Sequence, residues 1–296
     1  MRVVLLGTAA DGGFPQWNCA CGLCSAARDG RLPARTQECV AVSGNSRDWW
    51  LLNASPDVRT QLNATPALAP GPRGTPVRGV LLTDAEADHV MGLAVLRGAP
   101  GLKVYAAPPV LAALSPLRTL LDRHTLWEWA DSLTEGGFVL AGGLVVSAHA
   151  VGSKAPRHIA GAAADDRWMT AYRIEDLASG GVLVYAPCLG EWTPALDGLL
   201  TGATCVLLDG TSYAAEGTDT AVRGSHGRKP KDHLPGHLPV SGVDGSLAAL
   251  ARHPGPRVVY THLDSTNPLL DPVTDACASV TGAGAEILPD GAEFVL

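Results

Sequence analysis

The sequence predicts an α/β fold in which strands and helices form packed layers. Short apolar runs alternate with helical patterns and turn-rich segments along the chain, as in layered α/β domains. Hydrophobic residues make up 46% of the 296 residues and charged residues 17%, which provides for a sizeable core. The 34 glycines and 22 prolines are scattered, as expected for many turns between short elements. Because no internal repeat or linker is visible, we predict a single domain over residues 1–296.

Strands dominate the first part of the predicted order. Each is an apolar run that ends at a glycine or at a polar turn. A short helix is predicted at 55–62, since Ser55 is a favourable N-cap and Pro56 suits the first helical position. Residues 64–76 are rich in Ala, Pro and Gly and are predicted to form a loop. The predicted strands of this part are 3–6, 35–43 and 49–53.

Strands and helices alternate more regularly in the rest of the chain. A strand at 79–82 precedes apolar residues that recur with helical spacing, which predicts a helix over 88–97. The polar segment 214–236 is predicted to be a mobile loop. The further predicted strands are 103–106, 144–150, 168–174, 182–186, 205–208, 257–261, 286–288 and 293–296, and the further helices are 109–114 and 246–252.

Charge and composition exclude several classes of partner. The formal net charge is -7, whereas a nucleic-acid-binding surface needs a basic stripe. No apolar run approaches the ~20 residues that span a bilayer, so we expect no membrane partner. The N-terminus lacks the long apolar region and cleavage site of a signal peptide, and we expect a cytoplasmic protein.

Three of the seven cysteines, Cys19, Cys21 and Cys24, lie within six residues. In a reducing compartment such clustering favours a metal over disulfides. The C-x-C-x-x-C spacing lets three thiolates converge on one tetrahedral zinc ion, with a fourth ligand from elsewhere. The alternative is a loop with three free thiols. We expect a structural zinc here, and ordinary buried thiols at the isolated Cys39, Cys188, Cys205 and Cys277.

The segment "LLTDAEADHVMGL" (81–93) places four ionisable side chains between a strand and a helix: Asp84, Glu86, Asp88 and His89. Dinuclear hydrolases of the metallo-β-lactamase superfamily carry H-x-H-x-D-H at such a place, and here two carboxylates stand where the leading histidines would be. In the alternative interpretation, Thr83 or Asp84 caps the helix and the acidic residues interact favourably with its dipole. Both interpretations are open at this point.

Two further histidines lie in polar turns. His262 follows the predicted strand 257–261 in "THLDSTNP", and His237 lies in "GHLPVSG". Taken alone, each fits a hydrogen-bonded structural role as well as a role in ligation or catalysis. The sequence contains no G-x-S-x-G motif, no P-loop and no dinucleotide-binding glycine pattern.

Six segments in order along the chain resemble the pyrroloquinoline quinone biosynthesis protein B family, a branch of the metallo-β-lactamase fold. The resemblance implies a four-layer αββα sandwich, a structural zinc on the cysteine trio, and a non-haem iron hydroxylase that acts on a tyrosine side chain in a peptide fragment. Residues 211–236 depart from the family pattern, which leaves a tryptophan in another peptide-derived natural product as an alternative target. The segments are "GTAADGGFPQWNCACGLC" (7–24), "LLTDAEADHVMGL" (81–93), "YAPCLGE" (185–191), "VLLDGTSY" (206–213), "GHLPVSGVDGSLAAL" (236–250) and "THLDSTNPLL" (261–270).

Within this fold the ligands fit one iron ion better than two zinc ions. A dinuclear hydrolase needs two metals held by several histidines and a bridging aspartate. The strand that would end in that aspartate continues without a carboxylate as "VYAP" (184–187). Asp88, His89 and His262 remain, and two imidazoles with one carboxylate are the facial triad of Fe(II) oxygenases.

The other polar residues are assigned supporting roles. Asp84 and Glu86 either orient the triad through hydrogen bonds or include one direct ligand of the iron. His237 is the candidate general acid or base, since the ordinary pKa of histidine, ~6.5, suits that task.

We therefore expect an Fe(II)-dependent, O2-using hydroxylase of tyrosine or tryptophan in a small peptide, or of the aromatic amino acid itself. We expect this hydroxylation to be a step in the biosynthesis of pyrroloquinoline quinone or of a related peptide-derived natural product. The alternatives are a zinc hydrolase or phosphodiesterase of the superfamily, and a non-catalytic carrier of the quinone product. A homodimer is an open alternative to a monomer.

Overall fold

Two mixed β-sheets pack face to face. The computed structural model describes residues 1–72, 74–156, 158–159, 161–214 and 236–296, and each sheet has seven strands within these ranges. The first sheet has the order β14-β1-β2-β3-β4-β5-β6, antiparallel from β14 to β3 and parallel from β3 to β6. Its strands are β1 (Arg2–Gly7), β2 (Cys39–Ser43), β3 (Trp49–Leu52), β4 (Val77–Leu81), β5 (Lys103–Ala106), β6 (Glu128–Asp131) and β14 (Glu293–Val295).

The second sheet has the same division into an antiparallel and a parallel half. Its order is β13-β12-β11-β10-β9-β8-β7, parallel from β13 to β10 and antiparallel from β10 to β7. Its strands are β7 (Phe138–Leu140), β8 (Leu144–Gly152), β9 (Met169–Asp176), β10 (Val182–Ala186), β11 (Cys205–Asp209), β12 (Arg257–Thr261) and β13 (Ala285–Glu286).

Helices cover the outer face of each sheet. The first sheet packs on α2 (Val58–Ala64), α3 (Ala87–Val90), α4 (Gly92–Val95), α5 (Pro108–Ala113) and α6 (Ser115–Leu121). The second sheet packs on α1 (Gly22–Arg28), α7 (Pro194–Leu200), α8 (Ser246–Leu250) and α9 (Asp275–Gly282). Three short 3-10 helices complete the described helical segments, at Pro66–Leu68, Leu96–Gly98 and Pro268–Leu270.

The alternation of side chains along β1 shows how the layers form. Val3 and Leu5 lie in the apolar cluster between the two sheets, with Tyr172 of the second sheet, whereas Val4 and Leu6 lie in the cluster beneath the helices. This is the period of two expected for a strand that is buried on both faces. Each such side chain contributes about 1.5–3 kcal/mol to stability through burial. The predicted αββα sandwich is confirmed, and the single domain over 1–296 stays a prediction.

Two predicted helices differ from the structure. The helix expected at 55–62 begins only at Val58, and Ser55 is not its N-cap, because its hydroxyl donates to Gln61 Oε1 (2.9 Å). The helix expected over 88–97 is divided into α3, α4 and a 3-10 turn. It divides because the backbone of Gly92 turns towards residue 54, where the Gly92 N–H donates to the Ala54 carbonyl (2.9 Å).

Two further observations concern the connecting segments. Residues 35–38, expected to belong to a strand, contribute only isolated bridges, and β2 begins at Cys39. Of the predicted loop 214–236, residues 215–235 lie outside the described residues. None of the helices in the described ranges is long and apolar enough to cross a membrane.

Candidate metal centre

The carboxyl ends of the parallel strands bring the predicted site residues together. Asp84, Asp88 and His89 follow β4, and His262 follows β12, so that both sheets contribute to one buried polar site, called the pocket below. The helix-cap interpretation of the acidic turn is wrong. The N-cap of α3 is Glu86, and it makes no side-chain capping bond.

Asp84 holds His89 and is not itself free for a ligand. Its carboxylate oxygens lie 2.8 and 2.9 Å from His89 Nδ1, and Oδ1 also accepts from the backbone N–H of Glu86 (2.9 Å). The Nδ1 proton of His89 is therefore assigned to this contact, which leaves the lone pair on Nε2. His89 Nε2 is buried and has no hydrogen-bond partner within the described ranges. Of the two alternatives for Asp84, the contacts favour orienting a ligand.

Tight backbone packing fixes the position of His89. Its carbonyl accepts from the Ala54 N–H (2.7 Å), and three residues later Gly92 lies against the same segment. A Cβ on Gly92 would lie 2.2 Å from the Ser55 carbonyl oxygen. Only glycine allows this approach, so the position of the acidic turn depends on Gly92.

His262 is held in the same way by Thr211. The Thr211 hydroxyl donates to Asp209 Oδ1 (2.6 Å), and it lies 2.7 Å from His262 Nδ1, which therefore carries the donating proton. His262 also has a left-handed backbone (φ 58°), which is a strained conformation for a residue other than glycine. His262 Nε2 is directed towards Asp88, 3.1 Å from its Oδ2.

Asp88 Oδ2 completes a set of three donor atoms. It lies 3.1 Å from His262 Nε2 and 3.8 Å from His89 Nε2, and all three side chains are buried. Donor atoms bound to one ion at about 2.0–2.2 Å lie roughly 3–3.5 Å apart. Together with the unpartnered Nε2 of His89, this spacing fits a single metal ion held by Asp88, His89 and His262.

The electrostatics of the pocket favour a cation. Burial by itself raises the pKa of Asp84, but the charge and hydrogen bond of His89 outweigh it and lower the pKa to about 2. The pKa of Asp88 is also lowered, since the charges of His89 and His262 outweigh its burial. Burial by itself lowers the pKa of His89, yet the carboxylates of Asp84 and Asp88 raise it to about 10. In the metal-free protein a proton on His89 thus provides the compensating positive charge.

Metal binding should therefore compete with protons. The imidazole of His89 must lose its proton to bind an ion through Nε2, so loading should release at least about one proton at neutral pH. Between about pH 6 and pH 8 the apparent affinity should rise by about a factor of ten or more per unit of pH. Calorimetric titration of Co(II), in buffers of different ionisation enthalpy and with zinc already on the cysteine trio, measures both. An affinity that does not change with pH would contradict the prediction.

His237 forms a second buried pair, with Asp209 at the end of β11. His237 Nδ1 lies 2.7 Å from Asp209 Oδ2, so Nε2, which has no hydrogen-bond partner among the residues described, is the nitrogen for proton transfer. Asp209, His237 and His262 lie close enough to hold a metal. Both oxygens of Asp209 are already occupied, however, since they also accept from the Leu189 N–H (2.8 Å) and from the N–H and hydroxyl of Thr211. This group is therefore better explained as a hydrogen-bond network.

Glu86, the remaining acidic residue of the turn, forms an ion pair with Lys154. Its Oε1 lies 3.3 Å from Lys154 Nζ, and both side chains are about one quarter exposed. The stem of Lys154 packs on Gly236, next to His237 in the chain. The ion pair thus connects the acidic turn with the His237 segment on the solvent side of the site.

The site contains residues that sequence reasoning missed. Cys188 lies beside His89 and His262, contrary to the expectation that it is an isolated thiol. A second missed group is a network between the sheets, in which Asn53 Nδ2 donates to Glu38 Oε2 (3.1 Å) and Asn53 Oδ1 accepts from the Thr83 N–H (3.0 Å). Both Cys188 and Asn53 follow the end of a strand, and this position in the sequence could have identified them as candidate site residues.

The cysteine trio forms a separate group at the start of α1. The three Sγ atoms lie within 4.8 Å of one another, and Cys21 Sγ accepts from the Cys24 N–H (3.4 Å). The Ser265 carbonyl oxygen lies 3.8 Å from both Cys21 Sγ and Cys24 Sγ. Burial raises the pKa of Cys24 to about 12, so this thiol needs a nearby cation to ionise at neutral pH.

Comparison with known proteins gives relatives over the whole chain. The sequence model of the beta-lactamase superfamily domain matches residues 48–263. The chain is 37% identical to the coenzyme PQQ synthesis protein B of Methylococcus capsulatus over 100% of both chains. The structure is similar to that of Zn2+-bound PqqB from Methylobacterium extorquens, with 36% identity and a TM-score of 0.88 over 100% of both chains. A diphosphatase of the PhnP family, 18% identical with a TM-score of 0.68 over 100% of this chain and 97% of that one, has the same fold.

The family follows from these similarities. The superfamily model covers well over half of the chain, and the relatives match it from end to end at more than one third identity. The family resemblance found in the sequence is confirmed. The chain therefore belongs to the coenzyme PQQ synthesis protein B (PqqB) family of the metallo-β-lactamase superfamily.

Proposed function

We propose that the protein is a non-haem iron enzyme that uses O2 to hydroxylate an aromatic side chain, tyrosine or tryptophan, in a small peptide or amino acid. The observation that carries the proposal is the approach of two histidine nitrogens to one carboxylate oxygen: His262 Nε2 lies 3.1 Å and His89 Nε2 3.8 Å from Asp88 Oδ2. Two imidazoles and one carboxylate are the donor set of Fe(II) oxygenases. The relatives are named coenzyme PQQ synthesis protein B, so we place the reaction in the synthesis of that cofactor or of a related peptide-derived product.

Asp88, His89 and His262 would hold the iron, which when bound would supply open coordination positions and electrons for O2 activation. Asp84 and Thr211 keep the two imidazoles in the tautomer that presents Nε2. Such outer partners typically contribute a factor of about 10–100 to metal affinity. Asp88, His89 and His262 are buried, and a site screened from bulk water in this way would favour reaction with a bound aromatic ring.

His237 is the proposed general acid or base. Its Nδ1 is held by Asp209, so proton transfer takes place at Nε2. Hydroxylation of an aromatic ring replaces a C–H bond by a C–OH bond and requires O2, two electrons and two protons, with water as the second product. His237 Nε2 accepts a proton from the phenol or returns it, and the two electrons come from an external reductant.

The charges at the solvent side fit a small peptide. Glu86 and Lys154 present one anion and one cation beside His237 and the acidic turn. We infer that they face the oppositely charged groups of a peptide or amino acid, whose aromatic ring enters the buried pocket. A net charge of -7 disfavours a nucleic acid as the substrate.

Mass analysis of candidate peptides tests the proposal. The protein is loaded anaerobically with Fe(II) and exposed to 18O2 and a reductant in the presence of tyrosine- and tryptophan-containing peptides. We expect an added oxygen atom that carries the 18O label, and a rate reduced about 10²-fold or more in His237→Gln. His149→Gln, a change in a histidine of β8 outside the site, is the matched control.

The same preparation separates the alternatives. Turnover of phosphodiesters with two zinc ions bound in the pocket, and none of O2 with Fe(II), would favour a hydrolase and contradict the proposal. Binding of a quinone without O2 consumption under any metal would favour a carrier. We further propose that the cysteine trio holds a structural zinc, which its spacing and the soft thiolate donors favour.

A further inference from the structure

Cys188 occupies an unusual environment for a buried thiol. It lies two residues beyond β10 and is 4% exposed. Buried cysteines usually pack as small apolar side chains. Here burial, and then the charges of the nearby carboxylates of Asp84, Asp209 and Asp88, raise the pKa of the Cys188 thiol well above the usual range.

The thiol has no ordinary structural role within the described part of the chain. It makes no hydrogen bond there, whereas the equally buried Cys39 donates to the Asn53 carbonyl (3.3 Å). Instead, Cys188 Sγ and one ring nitrogen each of His89 and His262 lie within 4.8 Å of one another. Its neighbours are thus the residues that present donor atoms for an ion.

Hydrogen bonds leave the same nitrogen of the two histidines for an ion. Asp84 holds His89 through Nδ1 and Thr211 holds His262 through Nδ1, so Nε2 remains for a metal in both rings, and in His262 it lies 3.1 Å from Asp88 Oδ2. His89 Nε2 is buried and has no hydrogen-bond partner among the described residues. A sulfur and a nitrogen bound to one tetrahedral ion lie about 3.6 Å apart, so a shortening of the present distances by at most about 1.2 Å would bring the group to bonding geometry.

We propose that Cys188 Sγ is the fourth protein ligand of the active-site ion, beside Asp88, His89 and His262; this rests on the metal centre of the proposed function. The S–H proton passes to solvent as the bond between sulfur and the metal forms. The thiolate takes the place, after the strand, where a dinuclear hydrolase would carry its bridging aspartate. Of the two metal positions of a dinuclear hydrolase, this site would therefore keep one.

The thiolate also predicts which ions the site accepts. Sulfur donors favour Fe(II), Co(II) and Zn(II), whereas Mg(II) and Mn(II) prefer oxygen donors. A site with two imidazoles, one carboxylate and one thiolate should therefore bind Co(II) in a large excess of Mg(II). In Cys188→Ser this preference should decrease, because the remaining donors are those of an ordinary nitrogen and oxygen site.

Cobalt spectroscopy tests the proposal without any need for turnover. Full-length protein with zinc on the cysteine trio is loaded with one Co(II), and the spectra of wild type, Cys188→Ser and Cys205→Ser are compared. The wild type should show a near-ultraviolet charge-transfer band from thiolate to cobalt, which Cys188→Ser lacks and Cys205→Ser retains. The Co(II) affinity of Cys188→Ser should fall by at least about tenfold.

The outcomes separate this proposal from the metal centre itself. Visible cobalt bands with identical near-ultraviolet spectra in wild type and Cys188→Ser would overturn the Cys188 ligand and leave the triad intact. A failure of the wild type to bind Co(II) in the pocket would overturn both. If Cys188→Ser does not fold, X-ray absorption at the iron edge of wild type gives the answer. One sulfur at about 2.3 Å from Fe(II) supports the ligand, and its absence overturns it.

Discussion

His89→Ala should abolish metal binding in the pocket and, with it, hydroxylation, while zinc stays on the cysteine trio. The variant loses the Nε2 donor atom, which has no hydrogen-bond partner in the part of the chain that the structure describes. Because loss of an outer partner already costs about 10–100-fold in metal affinity, loss of a ligand should cost more than about 100-fold. Metal analysis of the purified variant and Co(II) titration measure this directly.

A second variant distinguishes the ligand from its support. Asp84→Asn can still accept a hydrogen bond from His89 Nδ1, so its Co(II) affinity should fall by only about 10–100-fold. Since Asp84 and His89 are both buried, thermal unfolding of each variant must show that the fold persists. His149→Ala, in β8, is the matched control. If His89→Ala retained one metal in the pocket, the assigned triad would be wrong.

The ligands that sequence predicted share a simple signal. His262 directly follows β12, whereas Asp88 and His89 lie in α3, just beyond the acidic turn that follows β4. Clusters of polar residues soon after an apolar strand are conspicuous in sequence. Cys188 also lies close to a strand end, two residues after β10. A cysteine at such a position is normally interpreted as a core residue, since buried thiols are common. The roles of Asp209 and Thr211 could not be predicted because they depend on a contact with His262 between separate strands.

The fold was predicted best where strands are long and apolar. Helices α1, α6, α7 and α9 were missed, although each is longer than the predicted helices α5 and α8. For two of them a local signal was present. Thr193 precedes Pro194 at the start of α7, and Thr274 caps α9 by accepting from the Cys277 N–H. Such caps identify helix starts when the apolar pattern is too short to do so.

Cys21→Ser should release about one zinc ion per chain and lower thermal stability markedly. Cys21 caps α1 and contacts both Cys24 and the Ser265 carbonyl, so a zinc ion here ties the N-terminal loop to the segment that follows β12. Structural zinc sites contribute on the order of 10 kcal/mol in small domains. A loss of only about 4 kcal/mol would lower the melting temperature by about 8–16 °C at 2–4 °C per kcal/mol. Calorimetry and metal analysis measure both effects.

The same substitution should also weaken the active site, because the two groups share one loop. Ser265 contacts the cysteines and lies three residues after His262, whose strained backbone (φ 58°) must be held in place by its surroundings. We therefore expect the Co(II) affinity of the pocket to fall by about tenfold in Cys21→Ser. Cys277→Ser, in α9 and outside both groups, should change neither zinc content nor Co(II) affinity. Unchanged zinc content and melting temperature in Cys21→Ser would rule out a structural zinc, and the loop after His262 would then depend on protein contacts alone.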